Sequence, residues 1–179
     1  LLSYYNIMKK LMSTHLVILL SMNCAFAGNW PAWRGEDASG STTHGNYPSE
    51  LNHKKNLLWK APLPDKGCST PVVWENSVLL TSPINGEDSV LSFSMSGEKN
   101  WQTKIGPERK GRHLNGSGSN PSVVTDGENL YALFKSGNLA CLNFDGKIIW
   151  KKDLSSYGKD TLYWDCLLYT SDAADDRMR

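Results

Sequence analysis

The sequence is poor in the residue patterns that announce chemistry. It has 4 cysteines and 4 histidines in 179 residues. There is no C-x-x-C pair, no H-E-x-x-H and no EF-hand spacing, and His15, His44, His53 and His113 are scattered. No metal-ligating residue is therefore assigned. A phosphate-cradling G-x-x-x-x-G-K-[ST] loop is absent. Asn115-Gly116-Ser117-Gly118 approaches a G-x-S-x-G nucleophile elbow only superficially, so no catalytic residue is assigned either. Charge of one sign is also missing. Lys and Arg number 19 against 18 Asp and Glu, a net of +1, which gives no electrostatic reason to expect nucleic acid or an anionic membrane as partner. Long apolar runs are lacking: Leu16-Val17-Ile18-Leu19-Leu20 is too short to span a bilayer, and no membrane span is expected.

That short run has a different meaning. Met8-Lys9-Lys10, the run itself and Ala25-Phe26-Ala27 have the basic, apolar and A-x-A parts of a secretory signal. Residues 8–27 are read as a signal peptide cleaved after Ala27, and residues 1–7 as upstream sequence. The expected destination is periplasmic or extracellular. Cys24 then falls in the leader and Cys166 in the tail, leaving Cys68 and Cys141. An oxidising compartment permits a disulfide between them. Their spacing does not place them at bridging distance, and two small buried thiols are the simpler reading.

The organising stretch is Ser119–Leu154. Four apolar runs, Val123–Thr125, Leu130–Phe134, Leu139–Phe144 and Ile148–Trp150, are parted by Asp126-Gly127, Ser136-Gly137 and Asp145-Gly146. Glycine takes positive φ without steric cost, and Asp bonds to nearby backbone, so these pairs reverse the chain. An antiparallel four-stranded meander ending on Trp150 is predicted. The pattern recurs upstream in Thr70–Val73, Ser77–Ser82, Ser89–Phe93 and Lys99–Thr103, with turns at Glu75-Asn76, Asn85-Gly86 and Ser96-Gly97. Trp101 and Trp150 are 49 residues apart, as are Gly97 and Gly146. A four-strand unit with this period predicts β-propeller blades stacked on neighbours.

Leu139-Ala140-Cys141-Leu142-Asn143-Phe144-Asp145-Gly146-Lys147-Ile148-Ile149-Trp150 resembles the repeat of the PQQ-binding-like β-propeller family, which has BamB-like members. Ser92–Trp101 resembles it less closely, with Ser94 and Glu98 where Asp and Lys are usual. Asn29-Trp30-Pro31-Ala32-Trp33-Arg34-Gly35 resembles the W-P-x-W-R-G opening of exported members. The resemblance implies an all-β fold: two four-stranded antiparallel blades of an incomplete, eight-bladed propeller. It also implies that Trp59, Trp101 and Trp150, with Gly97 and Gly146, dock neighbouring blades.

Residues 28–56 are read as an N-terminal arm and 57–165 as partial propeller repeats. Leu57–Lys60 is expected to begin a strand, with Trp59 in a blade-ending slot. Residues 166–179 break the repeat and resemble a translated sequencing adapter; they are set aside. Gly106–Asn120 is a basic, glycine-rich linker on a propeller face, and Arg109, Arg112, His113 and Asn115 are its candidate contacts. Trp30, Trp33 and Arg34 are the arm's candidate contacts, able either to clamp a ligand or to cap the propeller.

Three functional classes follow. The favoured one is an exported non-catalytic platform for a protein or polymer partner. The second is the N-terminal part of a PQQ-dependent quinoprotein dehydrogenase. The resemblance implies PQQ and Ca²⁺ for such an enzyme, but assigns neither to a residue here. The third is an extracytoplasmic sensor of a ligand or polysaccharide.

Overall fold

The computed structural model describes residues 28–43, 45, 47–110 and 116–156. All regular elements among them are strands: β1 (Val72–Trp74), β2 (Ser77–Thr81), β3 (Glu87–Ser94), β4 (Lys99–Pro107), β5 (Val124–Thr125), β6 (Leu130–Leu133), β7 (Asn138–Leu142) and β8 (Ile148–Asp153). They make two four-stranded antiparallel sheets, β1-β2-β3-β4 and β5-β6-β7-β8. These are the two predicted blades of an incomplete propeller.

Local chemistry explains the reversals. Asn85 and Gly86 have φ of 54° and 78°, the doubly left-handed pair that matches strand twist in a two-residue hairpin, and Ile84 and Glu87 bridge across it. The last hairpin of each blade is built alike. Ser94 Oγ accepts the Glu98 N–H, and Asn143 Oδ1 accepts the Lys147 N–H. What the position requires is a side-chain oxygen of short reach, which explains why Ser94 replaces the usual acid without losing the turn. Both blades also carry a register shift one step before this hairpin, at Ser92/Phe93 and at Cys141/Leu142.

Alternation along the strands sorts side chains onto two faces. Val72, Leu79, Val90 and Ile105 of the first blade meet Val123, Leu130, Ala132, Phe134, Ala140 and Leu142 of the second in one buried core. The opposite face of the first blade carries Leu80, Ile84, Leu91 and Phe93, with Ala61 packed against them. Trp59 stacks on Phe93 there, ring centroids 6.3 Å apart. β4 and β8 hold most of the exposed strand residues, many of them lysines, which discourages edge-to-edge pairing.

The indole contact that joins the two blades recurs on the opposite face of the first blade. Trp101 Nε1 donates to the Phe144 carbonyl at 2.7 Å, and its ring lies on Gly146. Trp59 Nε1 donates to the Met95 carbonyl at 2.9 Å, and its ring lies on Gly97. In both cases the acceptor stands two residues before a glycine at positive φ. Thr103 Oγ1 adds a bond to the Gly146 carbonyl. Trp150 is 39% exposed, beside Tyr131 and Lys152, with no turn glycine of the described residues packed on it.

Three expectations are corrected. Leu57–Lys60 is not a strand, because no neighbouring strand lies beside it among the described residues; only the Trp59 side chain fills its slot. Gly106 and Pro107 belong to β4 rather than to the linker, because Glu87 and Asp88 at the start of β3 pair with them. β3 accordingly begins at Glu87, not Ser89. The signal peptide, the upstream residues 1–7 and the tail 166–179 lie outside the described residues. No described helix is long and apolar enough to cross a membrane.

Two substitutions test the docking geometry. A Cβ on Gly146 would sit 2.5 Å from the Trp101 ring, at a φ of 78°. Gly146→Ala should lower unfolding stability by about 3 kcal/mol in urea titration. Gly86→Ala shares the φ but meets nothing within 4 Å, so it should cost only about 1 kcal/mol. Equal losses would assign the whole effect to backbone strain.

Candidate functional site: the inter-blade loop and the N-terminal arm

The linker between the blades leaves β4 at Pro107 and returns at Asn120. Both ends are tied down. Glu108 N–H donates to the Gly86 carbonyl at 2.9 Å, and Asn138 Nδ2 donates to the Pro107 carbonyl at 3.0 Å. On the return side, Thr81 Oγ1 donates toward the Ser119 carbonyl at 2.6 Å and the Pro121 carbonyl at 2.8 Å. Asn120 Oδ1 accepts from the N–H groups of Cys68 and Ser117.

The two ends also meet each other. Gly118 N–H donates to Glu108 Oε1 at 3.0 Å, and a Cβ on Gly118 would stand 2.1 Å from the Arg109 carbonyl oxygen. The chain crosses itself here so closely that only glycine fits. Beyond this neck, Arg109 and Lys110 are exposed, while Ser117–Asn120 are buried. Arg112, His113 and Asn115 lie outside the described residues.

Beneath the neck lies a polar cluster that sequence reasoning missed. Asp88 is fully buried at the blade interface. Its Oδ1 accepts from Ser119 Oγ at 2.7 Å, and its Oδ2 accepts from Ser136 Oγ and from Asn138 Nδ2 at 2.9 Å. Burial pushes its carboxyl above the usual range, against the pull of these bonds and with a small push from Glu108. Its neighbour Glu87 points outward and pairs with Lys104. No local pattern marks it: β3 is buried on both faces from Asp88 to Phe93, so alternation does not single Asp88 out.

The arm is the second candidate. Trp30 exchanges two backbone bonds with Val73 of β1, at 2.7 and 3.0 Å, and the Pro31 carbonyl accepts the Thr125 N–H of β5 at 3.0 Å. Asn29 Oδ1 accepts the Glu75 N–H. Residues 29–31 thus lie across the free edges of both blades. The Trp30 ring is pressed on Gly35, and its Nε1 reaches the Trp33 carbonyl. Arg34 stands over the Trp33 ring, 5.6 Å from its centroid, and donates to the Ser39 carbonyl. The three arm candidates are therefore brought together around residues 30–39.

Elsewhere the sites are simple. Asp126 is a turn acceptor for the N–H groups of Glu128 and Asn129 and for the Tyr131 hydroxyl. These bonds hold its carboxyl below the usual range. Cys68 and Cys141 do not form a disulfide; Cys141 is buried as expected, but Cys68 is exposed, because it lies in the irregular segment before β1 rather than in a strand. Burial pushes the Cys141 thiol up, away from reactivity. Among the described residues no three His, Cys, Asp or Glu side chains gather in a metal-binding group, so none is assigned to Ca²⁺.

Compared with known proteins, residues 41–165 match a family model described as outer membrane protein assembly factor BamB. No curated protein matches the chain.

Acid should loosen the Asp126 turn. A depressed carboxyl contributes stability above the ordinary carboxylate range and loses it as pH falls through the lowered value. Asp126→Asn should therefore narrow its deficit against the parent between pH 7 and pH 3 in urea midpoints. A deficit that stays constant across that range would remove Asp126 from the acid limb.

Proposed function

Because this chain belongs to the BamB-like PQQ-repeat β-propeller family, we propose that it works as an exported, non-catalytic platform that holds a protein partner on one face of the wheel. The observation that carries this reading is the pinned neck of the inter-blade loop. Ties at Pro107, Glu108, Gly118 and Ser119 give Arg109 and Lys110 a fixed base, so that base has little ordering entropy left to lose on binding. Arg109 and Lys110 are the exposed cations at that base, which favours an acidic partner surface. The family description points to a component of an outer-membrane assembly apparatus as that partner. The secretory pattern read at residues 8–27 supports delivery to the compartment where such a component would be met.

The catalytic alternative rests on resemblance to quinoproteins, and no described residue is assigned to PQQ or Ca²⁺. The two readings part in one experiment. The exported protein is titrated with PQQ and Ca²⁺, and separately co-purified with barrel-assembly proteins from the cell envelope. Co-purification that weakens about tenfold in the Arg109→Glu, Lys110→Glu double variant at low salt, with the gap to the parent narrowing at high salt, is the expected result. Stoichiometric PQQ binding with dye-linked alcohol oxidation would replace the platform by an enzyme.

A further inference from the structure

We infer that the Asn85-Gly86 pair at the tip of the β2–β3 hairpin is a self-modification site. It closes to a succinimide with loss of ammonia, reopens to isoaspartate, and so unlatches the outgoing limb of the inter-blade loop. The inference rests on reading that loop as the contact element.

The sequence holds two Asn-Gly pairs, Asn85-Gly86 and Asn115-Gly116, and Asn115 lies outside the described residues. Asn85 and Gly86 are both exposed. Among the described residues nothing bonds to the Asn85 side-chain amide. A Cβ on Gly86 would meet nothing within 4 Å, so neither a side chain of its own nor a packed neighbour shields the Gly86 nitrogen.

The comparable turns are closed. Asp126-Gly127 and Asp145-Gly146 form the same ring by losing water in place of ammonia. The Asp126 carboxylate, however, accepts from the Glu128 and Asn129 N–H groups and from the Tyr131 hydroxyl, and Gly127 lies under the Trp74 ring. Asp145 accepts from Asn143 Nδ2, and Gly146 lies under Trp101. Both acids are held and both glycines are covered, whereas Asn85 and Gly86 are neither.

The chemistry needs only water. The Gly86 nitrogen, its proton taken up by hydroxide, attacks Asn85 Cγ. A nitrogen–Cγ bond closes the five-membered ring, the Cγ–Nδ2 bond breaks, and the amide nitrogen leaves as ammonia. Water then adds to one ring carbonyl, and the bond from that carbon to nitrogen breaks. Opening at Cγ gives aspartate; opening at the main-chain carbonyl gives isoaspartate. Closure requires Asn85 to leave the turn geometry set by φ of 54° and 78° and by the Ile84–Glu87 bonds. Attack therefore proceeds from a locally opened tip, which costs far less than global unfolding.

Isoaspartate routes the main chain through Cβ. A two-residue hairpin whose register depends on its turn type has no place for the added atom. The Gly86 carbonyl is then displaced from the Glu108 N–H, which it accepts at 2.9 Å. Glu108 holds the Gly118 N–H through Oε1, so the neck loses its tie to the first blade and loosens.

Ageing the full chain in mildly alkaline buffer tests this. Peptide mapping should show loss of ammonia at Asn85, with isoaspartate identified by fragmentation and by enzymatic carboxyl methylation, ahead of isoaspartate at Asp126 or Asp145. In the purified isoaspartyl form, amide-exchange protection at Glu108 should fall about tenfold, while Leu80 and Leu91, paired farther along β2 and β3, are spared. Fresh Asn85→Asp, which adds the charge without lengthening the chain, should keep the parent's protection. Asn85 left intact, modified no faster than the two Asp-Gly turns, or spared while Asn115 reacts would overturn the proposal. So would unchanged Glu108 protection in the isoaspartyl form, or an equal loss in fresh Asn85→Asp. Failure of the Arg109/Lys110 reversal to weaken partner binding would sink the contact reading and leave this result standing. An unreactive Asn85 would do the opposite.

Discussion

An indole seated on a glycine turn, its N–H on the carbonyl two residues earlier, is the contact on which the rest of the structure depends. A four-stranded sheet with apolar residues on both faces cannot stand alone in water. Each blade here offers one face to its neighbour and needs its relative angle fixed before side chains can interdigitate. Trp101 supplies that constraint by spanning from β4 to the Gly146 turn of the next blade. Trp59 repeats it on Gly97, although the backbone around Trp59 forms no strand. The contact therefore survives without the strand that normally carries it, which marks the side chain and not the local backbone as the determinant.

The two blades are held differently at their two extremities. At the indole end the interface is apolar, with one bond per ring. At the loop end it is polar and buried: Thr81, Asp88, Ser117, Ser119 and Asn120 are all enclosed and all bonded. Apolar contact gives strength without direction, whereas a satisfied polar network permits one arrangement only. Placing the directional network beneath the loop gives the exposed Arg109 and Lys110 a defined base. The arm adds a third tie, because Trp30 and Pro31 bond to β1 and β5 together.

Much of this was readable from composition and order. The turn pairs, the 49-residue spacing of Trp101 and Trp150 and the alternation between them announce stacked four-stranded units, because each feature is local. A linker between the units was legible for the same reason, although Gly106 and Pro107 went to β4. Asp88 was not. In an Asn-Gly-Glu-Asp run it reads as one more solvated acid, and its burial depends on Ser119, Ser136 and Asn138, which lie 31, 48 and 50 residues away. The strand expected at Leu57–Lys60 erred in the other direction: local propensity favoured it, but a strand needs a neighbour to bond.

The amino-acid order by itself determined the β-strands, their turns, the period of the repeat and which residues were available to wedge between sheets. Those properties follow from φ preferences and side-chain alternation within a few residues. Only the tertiary structure decided that the arm crosses the edges of both blades, that Gly118 must pass Arg109 without a side chain, and that one carboxyl joins both limbs of a loop. Each of these depends on distances between segments far apart in the chain, which are set when the apolar faces close and water leaves the interface.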